Sequence, residues 1–345
     1  MSLQDLPTEL VLNIFRHCTS ISSAINLSLT CRRYYHLLRT SQKIPVLFAI
    51  AERVWGPLED IHQLLTYNSA QPVHTKRMPV LSFALLVQVS RIGRVATWYE
   101  EMYPQLRWDG ERAHLRRSLT PAEAYALRRA IYRIWLYSVA FHNSSASRTM
   151  RLNPSVVSER CQLLRTWSSP ELLEMEDVRG ILETMASDFC PTDGEVYWRR
   201  GSEPLSKYSV GSRAETLDSS LFHDFRAETM LQAARMKPVS EYREQMMEGW
   251  GDEIEQYHVL NDVLKLTPVH VMQLYETALT KQDVQRFIEE KVGAQWFWNN
   301  GESMLHTWIL VMHGRGIHVQ EMREKVLYGM AGVAVDAELN ARIVD

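Results

Sequence analysis

The sequence predicts an all-α protein, and three observations carry that expectation. Apolar residues recur at three- and four-residue spacing over most of the chain, the period of a helix with one buried face. Residues able to cap a helix stand directly before proline at several points, the mark of a helix start. Hairpin signals are almost absent, and Asn300-Gly301 sits between helix-like segments rather than between alternating runs. No repeat of about 20–50 residues is detectable, which argues against leucine-rich, WD and kelch arrays. The expected architecture is an N-terminal helical unit over 1–43 followed by a larger, irregular helical domain. The halves of that domain, 44–190 and 221–345, flank a loop or subdomain boundary at 191–220.

In the N-terminal unit, Pro7 opens a helix whose apolar positions are Leu10, Val11, Ile14, Phe15 and Cys18. These make one stripe along about three turns. A turn is expected over 19–23, with Ser22 or Ser23 as the next N-cap. Ile25, Leu27 and Leu29 alternate like a strand, but Leu27, Cys31, Tyr34 and Leu38 continue at helical spacing and decide for helix. So small a unit can hardly bury this apolar inventory alone, and the surplus needs a partner inside or outside the chain.

Further on, Thr120-Pro121-Ala122-Glu123 supplies a cap hydroxyl, a proline at the first helical position and a glutamate at the third. The helix it opens carries Ala124, Leu127, Ile131, Ile134 and Trp135, then turns apolar on nearly every side through Phe141, as a central buried helix should. Asn153-Pro154, Ser169-Pro170 and Thr267-Pro268 repeat the cap-then-proline start. Leu172, Leu173, Met175 and Val178 form a stripe after Pro170, and Leu305, Trp308, Ile309 and Met312 form another near the C-terminus. Residues 143–147 read as a short serine-rich turn. The expected boundary at 191–220 holds Gly194, Gly201, Gly211, Pro204 and several serines, with little apolar periodicity.

Composition narrows the function classes. A hydrophobic content of 46% over 345 residues supports a sizeable core, and 23% charged residues is ordinary for a globular protein. The net charge of −3 lacks the basic excess of a dedicated nucleic-acid binder. Cys18, Cys31, Cys161 and Cys190 lie far apart without a CxxC pair, which suits reduced thiols better than disulfides or zinc. No secretory leader is visible at the N-terminus, and the apolar stretch 78–89 is too short to span a bilayer. A cytoplasmic or nuclear protein is expected, without a membrane or nucleic-acid partner and without a cofactor or metal.

Residues 3–38, LQDLPTELVLNIFRHCTSISSAINLSLTCRRYYHLL, resemble an F-box. Leu6, Pro7, Glu9, Leu10, Ile14, Phe15, Leu29, Cys31, Arg32, Arg33 and Tyr35 stand where that family's pattern has matching residues. Cys18 replaces a usual leucine, Tyr34 replaces the commonest tryptophan, and the turn at 19–23 is one residue longer without its usual proline and acid. The resemblance implies a helical module docking on a Skp adaptor, which links to a cullin–RING ubiquitin ligase. It implies adaptor contacts through Leu6, Pro7, Glu9, Leu10, Ile14, Phe15, Leu27, Leu29, Cys31 and Tyr35. The whole chain is then expected to be a substrate receptor without catalysis of its own. The alternatives are a Skp-binding scaffold outside a ligase and, in third place, an enzyme domain fused to an F-box. Residues 119–141 also resemble a helical region of uncharacterised F-box proteins of filamentous fungi, a likeness that names no substrate.

On the substrate side the sequence offers two candidates. Arg128, Arg129 and Arg133 belong to a basic cluster that reads first as a solvated helix face and second as a pocket for acidic segments. Trp296 and Trp298 flank Phe297, a triplet expected to be mostly core, with a ligand contact as the second reading. His313 and His318, around Gly314-Arg315-Gly316, lack the companions of a metal site and read as loop residues. The same glycines lack the lysine and preceding strand of a phosphate loop.

Overall fold

The computed structural model describes residues 6–40, 42–108, 110–144, 150, 152–201, 246–293, 297–298, 301–317 and 343. Fourteen α-helices and no strand occur among the described residues, as an all-α chain requires. In order they are α1 (Thr8–Arg16), α2 (Ile21–Leu29), α3 (Arg32–Arg39), α4 (Lys43–Trp55), α5 (Leu58–Thr66), α6 (Phe83–Arg107) and α7 (Pro121–Phe141). Then follow α8 (Pro154–Arg165), α9 (Ser169–Phe189), α10 (Asp193–Gly201), α11 (Glu253–Val263), α12 (Pro268–Thr277), α13 (Lys281–Lys291) and α14 (Met304–Gly314).

Most starts obey the chemistry read from the sequence. Thr120 and Glu123 close a reciprocal capping box at α7, and Asn153 accepts the Ser155 N–H at α8. Two caps differ. Ser20, not Ser22 or Ser23, opens α2, because its hydroxyl reaches the Ser23 N–H at 3.0 Å from an extended backbone. Ser168, not Ser169, opens α9, since Glu171 three residues on returns to the Ser168 N–H at 2.7 Å. The predicted boundary at 191–220 begins with helix α10, where Thr192 and Glu195 form another reciprocal pair. Gly194 and Gly201 concealed that start. Positions 202–220 lie outside the described residues.

The helices wrap one continuous core. α7 lies centrally against α5, α6 and α9, and α9 in turn packs on α12 and α11. Buried polar groups tie the distant segments together. Tyr99 on α6 donates to the Pro268 carbonyl at 2.7 Å, and Trp308 on α14 donates to the Leu172 carbonyl at 2.9 Å. Tyr137 on α7 meets Ser303 and Thr307 at 3.1 and 3.0 Å. Gly93 brings the α6 backbone against the Trp55 ring, where any Cβ would collide. The N-terminal helices join this core through α4.

Candidate functional site

Each of the first three helices carries an inner row and an outer row of side chains, one residue apart. The inner rows are Val11 and Phe15 on α1, Ala24 and Ser28 on α2, and Tyr34 and Leu38 on α3, all buried. Four-residue spacing stacks such pairs on one helix face. Phe15 and Tyr34 meet edge to face with ring centres 6.1 Å apart. Small Ala24 and Ser28 let α2 approach its neighbours, and the Ser28 hydroxyl donates to the Ile25 carbonyl at 2.6 Å. These rows close against α4.

One residue around each helix, about 100° away, lies the outer row. Leu10 and Ile14 are 49% and 39% exposed, Ile25 and Leu29 are 41% and 66%, and Tyr35 is 36%. The Arg39 guanidinium stands over the Tyr35 ring at 5.0 Å. Pro7 and Glu9 are exposed beside them. Arg33 fixes the entry turn by donating from Nη2 to the Leu6 carbonyl at 2.5 Å. Each of the three helices thus leaves apolar side chains uncovered while its inner row is packed.

The structure sorts the expected contacts. Pro7, Glu9, Leu10, Ile14, Leu29 and Tyr35 are brought to the surface, while Leu6, Leu27 and Cys31 are half-buried against the core. Phe15 is a correction: with no exposed surface and Tyr34 on its ring, it anchors the module internally and offers nothing to a partner. Its place four residues after Val11 puts it on the inner stripe. Ile25, outside the expected set, is exposed four residues before Leu29 on the same face of α2.

Residues 3–42 match a family model described as F-box-like. The N-terminal unit is an F-box-like domain. No curated protein and no solved structure matches the chain. An F-box binds a Skp-type adaptor through its helices, and the outer rows just described are the uncovered surface of this one.

The substrate-side candidates fare differently. Arg128 and Arg133 are buried, which overturns the solvated-face reading and the acidic-segment pocket for these two residues, while Arg129 is half-buried. Arg128 donates to the Gly56 carbonyl and to Glu100, each at 2.8 Å. Arg129 holds Glu174 in a fork at 2.6–3.0 Å. Arg133 bridges Asp60 at 3.2 Å and Glu171 at 3.0 Å and lies over the Trp167 ring at 5.0 Å. Burial works against the Glu171 charge, but the Ser168 backbone and Arg133 outweigh it and lower its carboxyl to about 2. These arginines came inside because each met a carboxylate on a neighbouring helix, which one helix read alone does not reveal.

Trp296 lies outside the described residues. Phe297 is core, and half-buried Trp298 packs on Trp250 at the edge of a cavity of about 580 Å³. His318 also lies outside the described residues. Gly316 closes α14 with φ +79°, its N–H reaching the His313 carbonyl and the Ile317 N–H reaching the Met312 carbonyl. The glycine therefore serves a left-handed helix cap. Burial raises the Cys161 and Cys190 thiols above their usual range, away from the reactive thiolate.

Proposed function

We propose that this protein is a substrate receptor of a Skp–cullin–F-box ubiquitin ligase acting in the cytoplasm or nucleus. The Skp adaptor is held on the outer rows of the F-box, a cullin and RING subunit join through that adaptor, and the helical domain behind α4 presents a protein substrate. The chain itself performs no chemistry in this reading. The observation that carries it is the split of each F-box helix into a buried row and an uncovered apolar row. Such side chains, rigidly mounted on short helices, are what a helix-in-groove partner takes up.

Calorimetry with purified Skp adaptor tests this. Replacing Leu10 and Leu29 together by Ala should weaken binding at least thirtyfold, since truncating one buried anchor typically costs about 2 kcal/mol. The melting temperature should stay unchanged, because neither side chain lies in the core. Phe15→Ala should do the opposite and lower stability by about 3–5 kcal/mol. A wild-type chain that ignores the adaptor sinks the reading. A wild-type complex that binds the adaptor but never recruits cullin would turn the receptor into a scaffold.

A further inference from the structure

The cavity beside Trp298 has a construction that neither the F-box nor the packing of the core explains. Its base is the strip 249–251, pinned to the start of α10 by backbone bonds from Trp250 N–H to the Pro191 carbonyl and from Asp193 N–H to the Gly251 carbonyl. Gly251 takes φ +92°, a conformation that an L side chain resists. The aromatic wall is Trp250 and Trp298, with ring centres 5.7 Å apart and planes tilted by 35°. Trp250 is nearly buried and Trp298 half-buried, so Trp298 offers the free aromatic surface.

The polar lining is unequal in sign. Asp193 and Glu255 are exposed at the rim, and neither has a Lys or Arg partner within ion-pair distance among the described residues. At the start of α11 Asp252 caps the helix by accepting the Ile254 and Glu255 N–H groups, Glu255 returns to the Asp252 N–H, and exposed Glu253 adds a further carboxylate. Against them stand Lys281 and His258. The Lys281 ammonium is tethered, lying 4.8 Å over the Trp250 ring and donating to the Gly249 carbonyl at 3.3 Å. Asp262 is satisfied by Lys265 at 2.8 Å and by the Gly301 N–H at 2.7 Å. Exposed Ile254 and Tyr257 on α11 extend an apolar apron beside the opening.

From this geometry we infer that the cavity receives an arginine side chain of a peptide segment in the substrate. The inference rests on the receptor reading, because it names the class of segment such a receptor would hold. A guanidinium is planar, stacks on an indole face and pairs with carboxylates through fixed N–H groups. The exposed part of the Trp298 ring and the Asp193 and Glu255 carboxylates, which accept backbone N–H groups but have no Lys or Arg partner among the described residues, supply those two requirements together. About 580 Å³ is room for one long side chain with its flanking backbone. A phosphorylated or acidic segment meets the wrong sign of rim charge.

The probe is a fluorescein-labelled peptide, Gly-Leu-Arg-Leu-Arg-Gly, titrated by anisotropy into the full chain, beside versions with both arginines changed to Gln or to Glu. The arginine peptide should bind best, the Gln version at least tenfold more weakly and the Glu version not at all. Asp193→Asn with Glu255→Gln removes the charge but keeps the oxygen atoms that accept the Gly251 and Asp252 N–H groups. Two exposed ion pairs together are worth about tenfold in affinity, the loss expected for this double variant. Trp298→Ala should weaken the peptide similarly. Adaptor binding by the same preparations should not change. Equal binding of the three peptides, preference for the Glu version, or an unaltered affinity in the double variant overturns the inference. Arginine preference in a chain that ignores the adaptor sinks the receptor reading instead and leaves the pocket's chemistry standing.

Discussion

Arg133 shows how far a charged residue's meaning depends on its neighbours. In sequence it belongs to a basic run on a helix; in space it is enclosed by Asp60, Glu171 and the Trp167 ring. Burial raises the Asp60 carboxyl, and Arg133 is the group that opposes that shift most. Arg133→Ala would leave Asp60 enclosed without its cation, and breaking a buried pair from one side costs about 3–5 kcal/mol. Chemical denaturation should show a loss of that order, with adaptor affinity preserved in the folded fraction. An unchanged midpoint would mean that the pair contributes nothing to stability.

Glu123 gives the residue scale its pH dependence. Arg117 grips this carboxylate at 2.6 and 2.7 Å, and with the Thr120 cap it lowers the group from its ordinary 4.5 to about 2. The folded value lies below the unfolded one, so the contribution is complete above about pH 4.5 and disappears as pH falls toward 2. Asp60, Glu100 and Glu174 are shifted upward by burial and act with the opposite sign. A whole-protein profile therefore mixes both directions, and the comparison with Glu123→Gln isolates one. Urea melts should separate wild type from Glu123→Gln at neutral pH and converge near pH 2. A gap that persists at pH 2 would mean that ionisation is not the cause.

At the scale of elements, legibility followed the range of the interaction that decides each feature. Caps act over three residues, so Thr120 with Glu123 and Asn153 with Pro154 were readable directly. Where two serines competed, as at 168 and 169, the reciprocal glutamate decided, and that requires counting from Glu171 backward. The α10 start was hidden because Gly194 and Gly201 lower helix propensity while the Thr192–Glu195 pair overrides it. Within the F-box the sequence presents Leu10, Val11, Ile14 and Phe15 as a single stripe. The division into inner Val11 and Phe15 and outer Leu10 and Ile14 needs the partner helices, because 100° on a helical wheel becomes inside or outside only when α3 and α4 are in place. The Trp250–Trp298 wall joins residues far apart in the chain, and no local pattern links them.

For the whole molecule, the consequence is that the F-box is built into the helical domain behind it rather than hung from it. Val11, Phe15, Ala24, Tyr34 and Leu38 belong to the same buried cluster as Val46, Leu47 and Ile50 of α4, which continues through α6, α7 and α9. A substrate held on the distal helices would thus stand in a fixed relation to the adaptor, where a flexible tether would let it wander. Deleting residues 1–42 tests this coupling. Removing the inner rows would uncover apolar side chains of α4, and each Leu, Ile or Val returned to water is worth about 1.5–3 kcal/mol. Uncovering two of them should lower the melting temperature of the remaining chain on the order of 10 °C, or bring it out of solution through the new apolar face. Differential scanning calorimetry of the full chain should then show one transition that includes the F-box. If the truncated chain melts at the wild-type temperature and remains monomeric, the F-box is an independent bead, and its fixed position on the helical domain is lost with it.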